Sequence, residues 1–135
     1  MLYTPMSKKD ASLLNPLQLA YMGDSVWEMI VRRRLIFQRK NVHHMHIECV
    51  KKVNASAQAR GMNQIQSKIT ADETAIFLRG RNAHTKHPAP KNQNPADYAE
   101  STGFEALLGY LYLTGNFERL KEIENIIFGE ETDHA

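Results

Sequence analysis

The sequence has few of the features that mark secreted or membrane proteins. Its single cysteine, Cys49, cannot form an internal disulfide, which favours a reducing compartment such as the cytoplasm. No basic start is followed by an apolar segment, as a secretion signal requires. No apolar run is long enough to cross a bilayer, because Glu105 interrupts the longest one. We therefore expect a cytoplasmic protein with no membrane partner.

The formal net charge of +2 hides an uneven distribution. Residues 1–96 carry 15 Lys or Arg against 6 Asp or Glu, whereas residues 97–135 carry 2 against 9. A basic region on a chain of this size indicates a polyanionic partner, most often a nucleic acid.

Apolar residues recur at three- and four-residue spacing almost throughout, and no alternating strand pattern occurs. The sequence therefore predicts an all-α fold in a single domain over residues 1–135, with its core at about 15–128. Residues 80–96 contain three prolines and almost no large apolar side chain, which predicts a basic irregular loop, and long loops are usually functional or disordered. The predicted helices cover residues 15–22 (broken by Gly23), 25–40, 43–60 (ended by Gly61), 70–79, 99–113 and 117–128.

Two carboxylates occur in apolar surroundings. Asp24 follows Leu19 and Met22, where it is either a helix N-cap or a functional acid. Glu105 lies in a segment that is apolar on most of its faces, and a buried carboxylate needs a partner. That partner is either a buried Arg or Lys or a metal ion, and both alternatives stay open at this point.

The two acidic segments resemble those of the ribonuclease III family. Residues 21–26 (YMGDSV) are similar to its signature, an aromatic–hydrophobic–Gly–Asp–small–hydrophobic run that carries a catalytic aspartate. Residues 104–109 (FEALLG) are similar to its second acidic block, which supplies a metal ligand. The short chain, residues 79–82 and residues 101–105 resemble the Mini-ribonuclease III branch, in which no double-stranded-RNA-binding domain follows.

The resemblance implies a ribonuclease III-like helical bundle that hydrolyses double-stranded RNA and leaves 5′-phosphate ends. It implies Mg²⁺ as cofactor, with Asp24 and Glu105 as catalytic residues and metal ligands. It also implies a homodimer that acts on precursor 23S ribosomal RNA, with ribosomal assembly particles as further candidate partners. The large aromatic side chains, among them Trp27 and Phe104, belong either to such an interface or to the core.

Two departures from the family pattern affect the site. The larger enzymes have a glutamate four residues before the signature aspartate and an aspartate three residues before the second-block glutamate. This chain has Ala20 and Thr102 there, and only Thr102 retains a hydroxyl able to hold a water molecule. These departures favour an alternative, a non-catalytic RNA-binding or ribosome-assembly module of the same fold.

Duplex RNA is gripped through its phosphates, 2′-hydroxyls and shape, so basic and amide side chains are the candidate contacts. The expected RNA-binding residues lie in the loop region and in the third predicted helix: Arg79, Arg81, Asn82, His84, Lys86, Lys91, Lys51 and Lys52.

Overall fold

The computed structural model describes residues 4–83 and 89–129, and these residues contain α-helices and one short 3-10 turn but no strand. The prediction of an all-α fold is therefore confirmed. His84 and Lys86, two of the predicted RNA contacts, lie outside the described residues. The helices are α1 (Lys8–Ser12), α2 (Pro16–Phe37), α3 (Val42–Val53), α4 (Ala55–Ile65), α5 (Ala71–Asn82), α6 (Pro95–Leu113) and α7 (Phe117–Phe128).

Helix α6 is the centre of the bundle. It contacts α2, α4, α5 and α7, and its residues from Ser101 to Leu111 are buried, with Glu105 the one that keeps partial exposure. A helix that is apolar around most of its circumference can be stable in water only when others surround it. No helix in the described part of the chain combines the length and apolar character that a membrane crossing requires.

Helix α2 is continuous, so the predicted break at Gly23 and new start at Ser25 are wrong. Its beginning agrees with the prediction, because Asn15 accepts a hydrogen bond from the Leu17 amide at 2.8 Å and Pro16 occupies the first turn. The helix then runs to Phe37 without interruption.

The crossing of α2 and α6 explains why a glycine stands inside α2. A Cβ atom on Gly23 would overlap the carbonyl oxygen of Glu105, and one on Gly109 would overlap the carbonyl oxygen of Leu19. The two helices touch backbone to backbone, which only glycine permits at these positions. This contact fixes α2 against α6 beside Asp24 and Glu105.

The predicted single helix over residues 43–60 is in fact two helices that meet at Asn54. That residue has extended backbone angles (φ −71°, ψ 164°), ends α3, and caps α4 by accepting from the Ala57 amide at 2.8 Å. Gly61 does not end the helix but is buried within α4.

The remaining boundaries agree more closely with the sequence. Thr70 and Glu73 form the predicted capping box at the start of α5, and α7 covers Phe117–Phe128 as expected. Helix α6 begins at Pro95, four residues earlier than predicted, because Asn94 accepts from the amides of Ala96 and Asp97. Trp27 and Phe104 are 2% and 0% exposed, so both belong to the core.

Candidate active site

Asp24 and Glu105 meet where α2 crosses α6, and their carboxyl groups are close enough to share a hydrogen bond when one of them is protonated. Asp24 lies in the middle of α2, so the alternative that it caps a helix is wrong. No Arg or Lys pairs with Glu105 among the ion pairs of the described residues, which removes the buried-cation alternative.

The environment of Glu105 favours its protonated form. Burial raises the pKa of Glu105 to about 8, and the hydrogen bond and negative charge of Asp24 act in the same direction. A hydrogen bond from Gln58 lowers the pKa and offsets part of this effect. At neutral pH the Glu105 carboxyl therefore keeps its proton, which a bound cation would displace.

The acid pair opens into a polar cleft of about 620 Å³ between α2, α4 and α6. Across the mouth of this cleft, the Ser56 hydroxyl donates to the Asp97 carboxylate at 3.1 Å and ties the start of α4 to the first turn of α6. The cleft is lined by both acids and by neutral polar groups, among them Asn54, Gln58, Asn94 and Ser101. The cleft is open to solvent on one side rather than enclosed.

The donor set fits magnesium. Across residues 4–83 and 89–129 no group of three acids, histidines or cysteines gathers at one point, so the pair stands with two carboxylates. Magnesium is commonly held by one or two carboxylates together with waters and substrate phosphates. Thr102 is 5% exposed and its hydroxyl donates to the Tyr98 carbonyl at 3.0 Å, while Ala20 is 6% exposed and has no ligating atom.

Two of the three predicted RNA contacts on α5, Arg79 and Arg81, interact with other parts of the protein. Arg79 donates to the main-chain oxygens of Ser12 and Leu14, both at 2.8 Å, and so fixes the segment before α2. Arg81 lies 3.6 Å from Glu100. Asn82 is exposed at the end of α5.

The three lysines among the predicted contacts that the structure describes lie in three different settings. Lys51 is exposed and 3.7 Å from Glu48. Lys52 is half-buried, with its ammonium 5.7 Å from the ring centre of Phe128. Lys91 is exposed immediately before the cleft residues 92–94. Lys52 and Lys91 are therefore each adjacent along the chain to a residue of the cleft lining, Val53 and Asn92 respectively.

The structure adds two residues that sequence reasoning missed. Gln58 is 2% exposed, and its amide nitrogen donates to the Glu105 carboxylate at 3.4 Å. Arg60 is exposed and contributes a positive charge to the lining of the cleft. The available signal was weak: Gln58 is an amide in a run of small residues, between Ala57 and Ala59.

Comparison with known proteins agrees with this geometry. The ribonuclease III domain model matches residues 17–116, a span that contains both acids. The chain therefore belongs to the ribonuclease III family, and it is an endoribonuclease.

Its relatives refine the class. The chain is 47% identical over 111 residues to Mini-ribonuclease 3 of Symbiobacterium thermophilum, covering 82% of this chain and 85% of that protein. It is 42% identical over 119 residues to Mini-ribonuclease 3 of a Thermoanaerobacter species, covering 87% and 83%. A crystal structure of a Fusobacterium nucleatum protein superposes with a TM-score of 0.79 at 28% identity, covering 87% of this chain and 94% of that one.

Proposed function

We propose that this endoribonuclease cuts double-stranded RNA with the help of Mg²⁺ and leaves 5′-phosphate and 3′-hydroxyl ends. The observation that carries the proposal is the Asp24–Glu105 pair, two carboxyl groups forced into contact at the base of an open cleft. In the absence of a cation, a pair of this kind lowers stability near neutral pH, because burial and mutual repulsion oppose ionisation. A bound cation would offset the repulsion between the two carboxylates.

Asp24 and Glu105 would hold the magnesium ion, and Asp24, the more exposed of the two, would orient the attacking water. Magnesium, when bound, supplies positive charge against the phosphodiester and makes water more acidic. The protein holds the two carboxylates in fixed positions through the α2–α6 backbone contact at Gly23 and Gly109. That fixed geometry is the main contribution the chain makes to such a reaction.

The test is cleavage of a long RNA duplex in MgCl₂ or in chelator by wild type, Asp24→Asn and Glu105→Gln. Both variants remove a ligand charge while keeping the side-chain volume, so cleavage should fall at least about 100-fold. Binding to the duplex, measured by fluorescence anisotropy, should stay close to wild type. Asp72→Asn, an exposed acid at the start of α5, is the matched control and should cleave normally. Loss of binding with retained cutting would contradict the proposal.

We also propose that the basic side chains grip the duplex, with the segment around residues 80–96 setting substrate preference. Lys91 and Lys51 are the cleanest tests, because both are exposed and Arg79 has a structural role as well. Replacing Lys51 by alanine should weaken binding to all duplexes alike and lower the slope of log affinity against log salt concentration by about one. Lys91→Ala should weaken binding to some duplexes more than to others, and equal losses on all of them would oppose a role of this segment in substrate preference.

The substrate we propose is precursor 23S ribosomal RNA in the cytoplasm, alone or within ribosomal assembly particles. Incubating purified precursor and mature-length RNA with the enzyme, followed by end mapping, would test this. Cleavage at a single stem position in the precursor is the expected result, and digestion at many positions would oppose it.

We propose a homodimer that forms through one face of α2. Tyr21, Met29 and Ile36 are 84%, 55% and 63% exposed, and they fall within about 80° of one another around the helix. Asp24 lies beside this face, so a second copy would bring two acid pairs to one duplex. Light scattering should give twice the 15.4 kDa chain mass, and Tyr21→Asp should give monomer. A wild-type monomer at micromolar concentration would refute this.

A further inference from the structure

The buried amide of Gln58 has no counterpart elsewhere on the inner face of α4. The neighbouring core residues on this helix are small or apolar: Ala59 is 4% exposed and Met62 is 0% exposed. An apolar side chain of similar length would fill the same volume without the cost of desolvating an amide. Packing alone therefore does not account for a glutamine at this position.

The contact that the amide makes explains its presence. Its nitrogen donates to Oε2 of Glu105 at 3.4 Å, across the boundary between α4 and α6. Gln58 is 2% exposed, so little of this side chain is open to competing water. Glu105 is thus held from two sides, by Asp24 on α2 and by Gln58 on α4.

The two supports behave differently when a cation is present. Two ionised carboxylates repel one another, so Asp24 cannot by itself keep Glu105 facing the cleft. A neutral amide donor continues to attract the ionised carboxylate. When a cation is bound by only two carboxylates, misplacing either one removes a large part of the metal-binding energy, because no third carboxylate can replace it.

We propose that Gln58 is a positioning residue, which holds the Glu105 carboxylate in the orientation required to bind a divalent cation together with Asp24. This inference rests on the proposed metal-dependent function. It means that α4, which carries neither acid, contributes a residue to the proposed metal site. Outer-shell partners of this kind typically change metal affinity by about 10- to 100-fold when they are removed.

The test compares Gln58→Met with Gln64→Met, a control at an exposed glutamine on the same helix. Mn²⁺ binding to the RNA-free protein is measured by electron paramagnetic resonance, and cleavage of an RNA duplex is measured over a range of MgCl₂ concentrations. Gln58→Met should bind Mn²⁺ about tenfold more weakly and need about tenfold more MgCl₂ for half-maximal cleavage. At saturating MgCl₂ its rate should recover, and the control should match wild type throughout.

A second measurement on the unaltered protein covers the case in which Gln58→Met does not fold. The side-chain amide NMR signals of Gln58 should shift when MgCl₂ is added, while those of Gln64 should not. Unchanged Gln58 signals would overturn the inference.

The remaining outcomes separate the inference from the function on which it rests. Wild-type Mn²⁺ affinity and MgCl₂ dependence in a folded Gln58→Met would overturn the role of Gln58 and leave the proposed function intact. Full wild-type cleavage in chelator would overturn both.

Discussion

The ionisation of Glu105 predicts an unusual pH dependence of folding stability. Burial and the neighbouring Asp24 raise the pKa of this carboxyl from 4.5 to about 8. Between these values the folded protein keeps the proton that the unfolded chain has already lost, so stability falls as the pH rises. Below about pH 4.5 both states are protonated, and above about pH 8 both are ionised, so this contribution changes only within that interval.

The size of the effect follows from the same values. Each rise of one pH unit within the interval lowers the free energy of unfolding by at most about 1.4 kcal/mol. The total loss over the interval is therefore at most about 5 kcal/mol. Asp24 is exposed, and solvent around it screens part of the repulsion. We therefore expect a loss of about 2 kcal/mol between pH 5 and pH 8, because water reduces the upper limit.

The perturbation that isolates this effect is Glu105→Gln, which removes the ionisable group at nearly constant volume. Urea unfolding in chelator, followed by circular dichroism at several pH values, gives the free energy of unfolding for each protein. The variant should gain stability over wild type as the pH rises, and Glu118→Gln, an exposed acid on α7, should follow wild type. Parallel curves of unfolding free energy against pH for wild type and Glu105→Gln would refute the reasoning, since Glu105 would then not keep its proton in the folded state.

Three further predictions test other parts of the structure. Gly109→Ala should lower the free energy of unfolding in urea by about 3 kcal/mol, because the new Cβ would overlap the Leu19 carbonyl oxygen. The control Gly61→Ala should change it by less than about 1 kcal/mol, because there the Cβ meets only a flexible side-chain carbon at 3.1 Å. Arg119→Met should cost about 3 kcal/mol, because it leaves the buried Glu73 carboxylate without the guanidinium that lies 2.8 and 2.9 Å away. Deleting residues 84–91 should reduce RNA cleavage at least about tenfold while the melting temperature changes by less than about 4 °C; equal losses of both would refute a substrate-binding role.

The Glu73–Arg119 pair also shows why local pKa shifts differ in sign within one small fold. Burial alone would raise the pKa of Glu73, but hydrogen bonds from Arg119 and Thr70 outweigh burial and lower it. Glu105 has burial without a cation and is shifted upward. The two acids therefore differ in whether a cation accompanies the buried carboxyl group.

The helical class and the two acids could be predicted from the sequence, because apolar spacing and short motifs are local signals. Helix boundaries were predictable where side chains cap the backbone, as at Asn15 and Thr70. They were not predictable at Gly23, where glycine permits a backbone contact, or at Gly61, which lies buried within a helix instead of ending it. Only the tertiary contact distinguishes these two uses of the same residue.

The contacts of the site were less predictable than its acids. Gln58 reaches Glu105 because α3 and α4 separate at Asn54, a break that the sequence pattern did not indicate. Arg79 was predicted to contact RNA from its charge, and its charge did not indicate the structural role that its guanidinium has in binding main-chain oxygens. Charge alone does not distinguish a solvated cation from one that fastens the backbone.

The glycine contact between α2 and α6 separates the requirements of folding from those of catalysis. Gly23 and Gly109 are needed for the helices to cross, whereas Asp24 and Glu105, the proposed metal ligands, are not needed for that crossing. A descendant could therefore exchange both acids for neutral residues and keep the same architecture, and it would gain stability near pH 8 by doing so. If the proposed role of the two acids holds, relatives that keep both glycines but lack both acids should fold and be inactive, which gives a simple criterion for recognising such relatives from sequence.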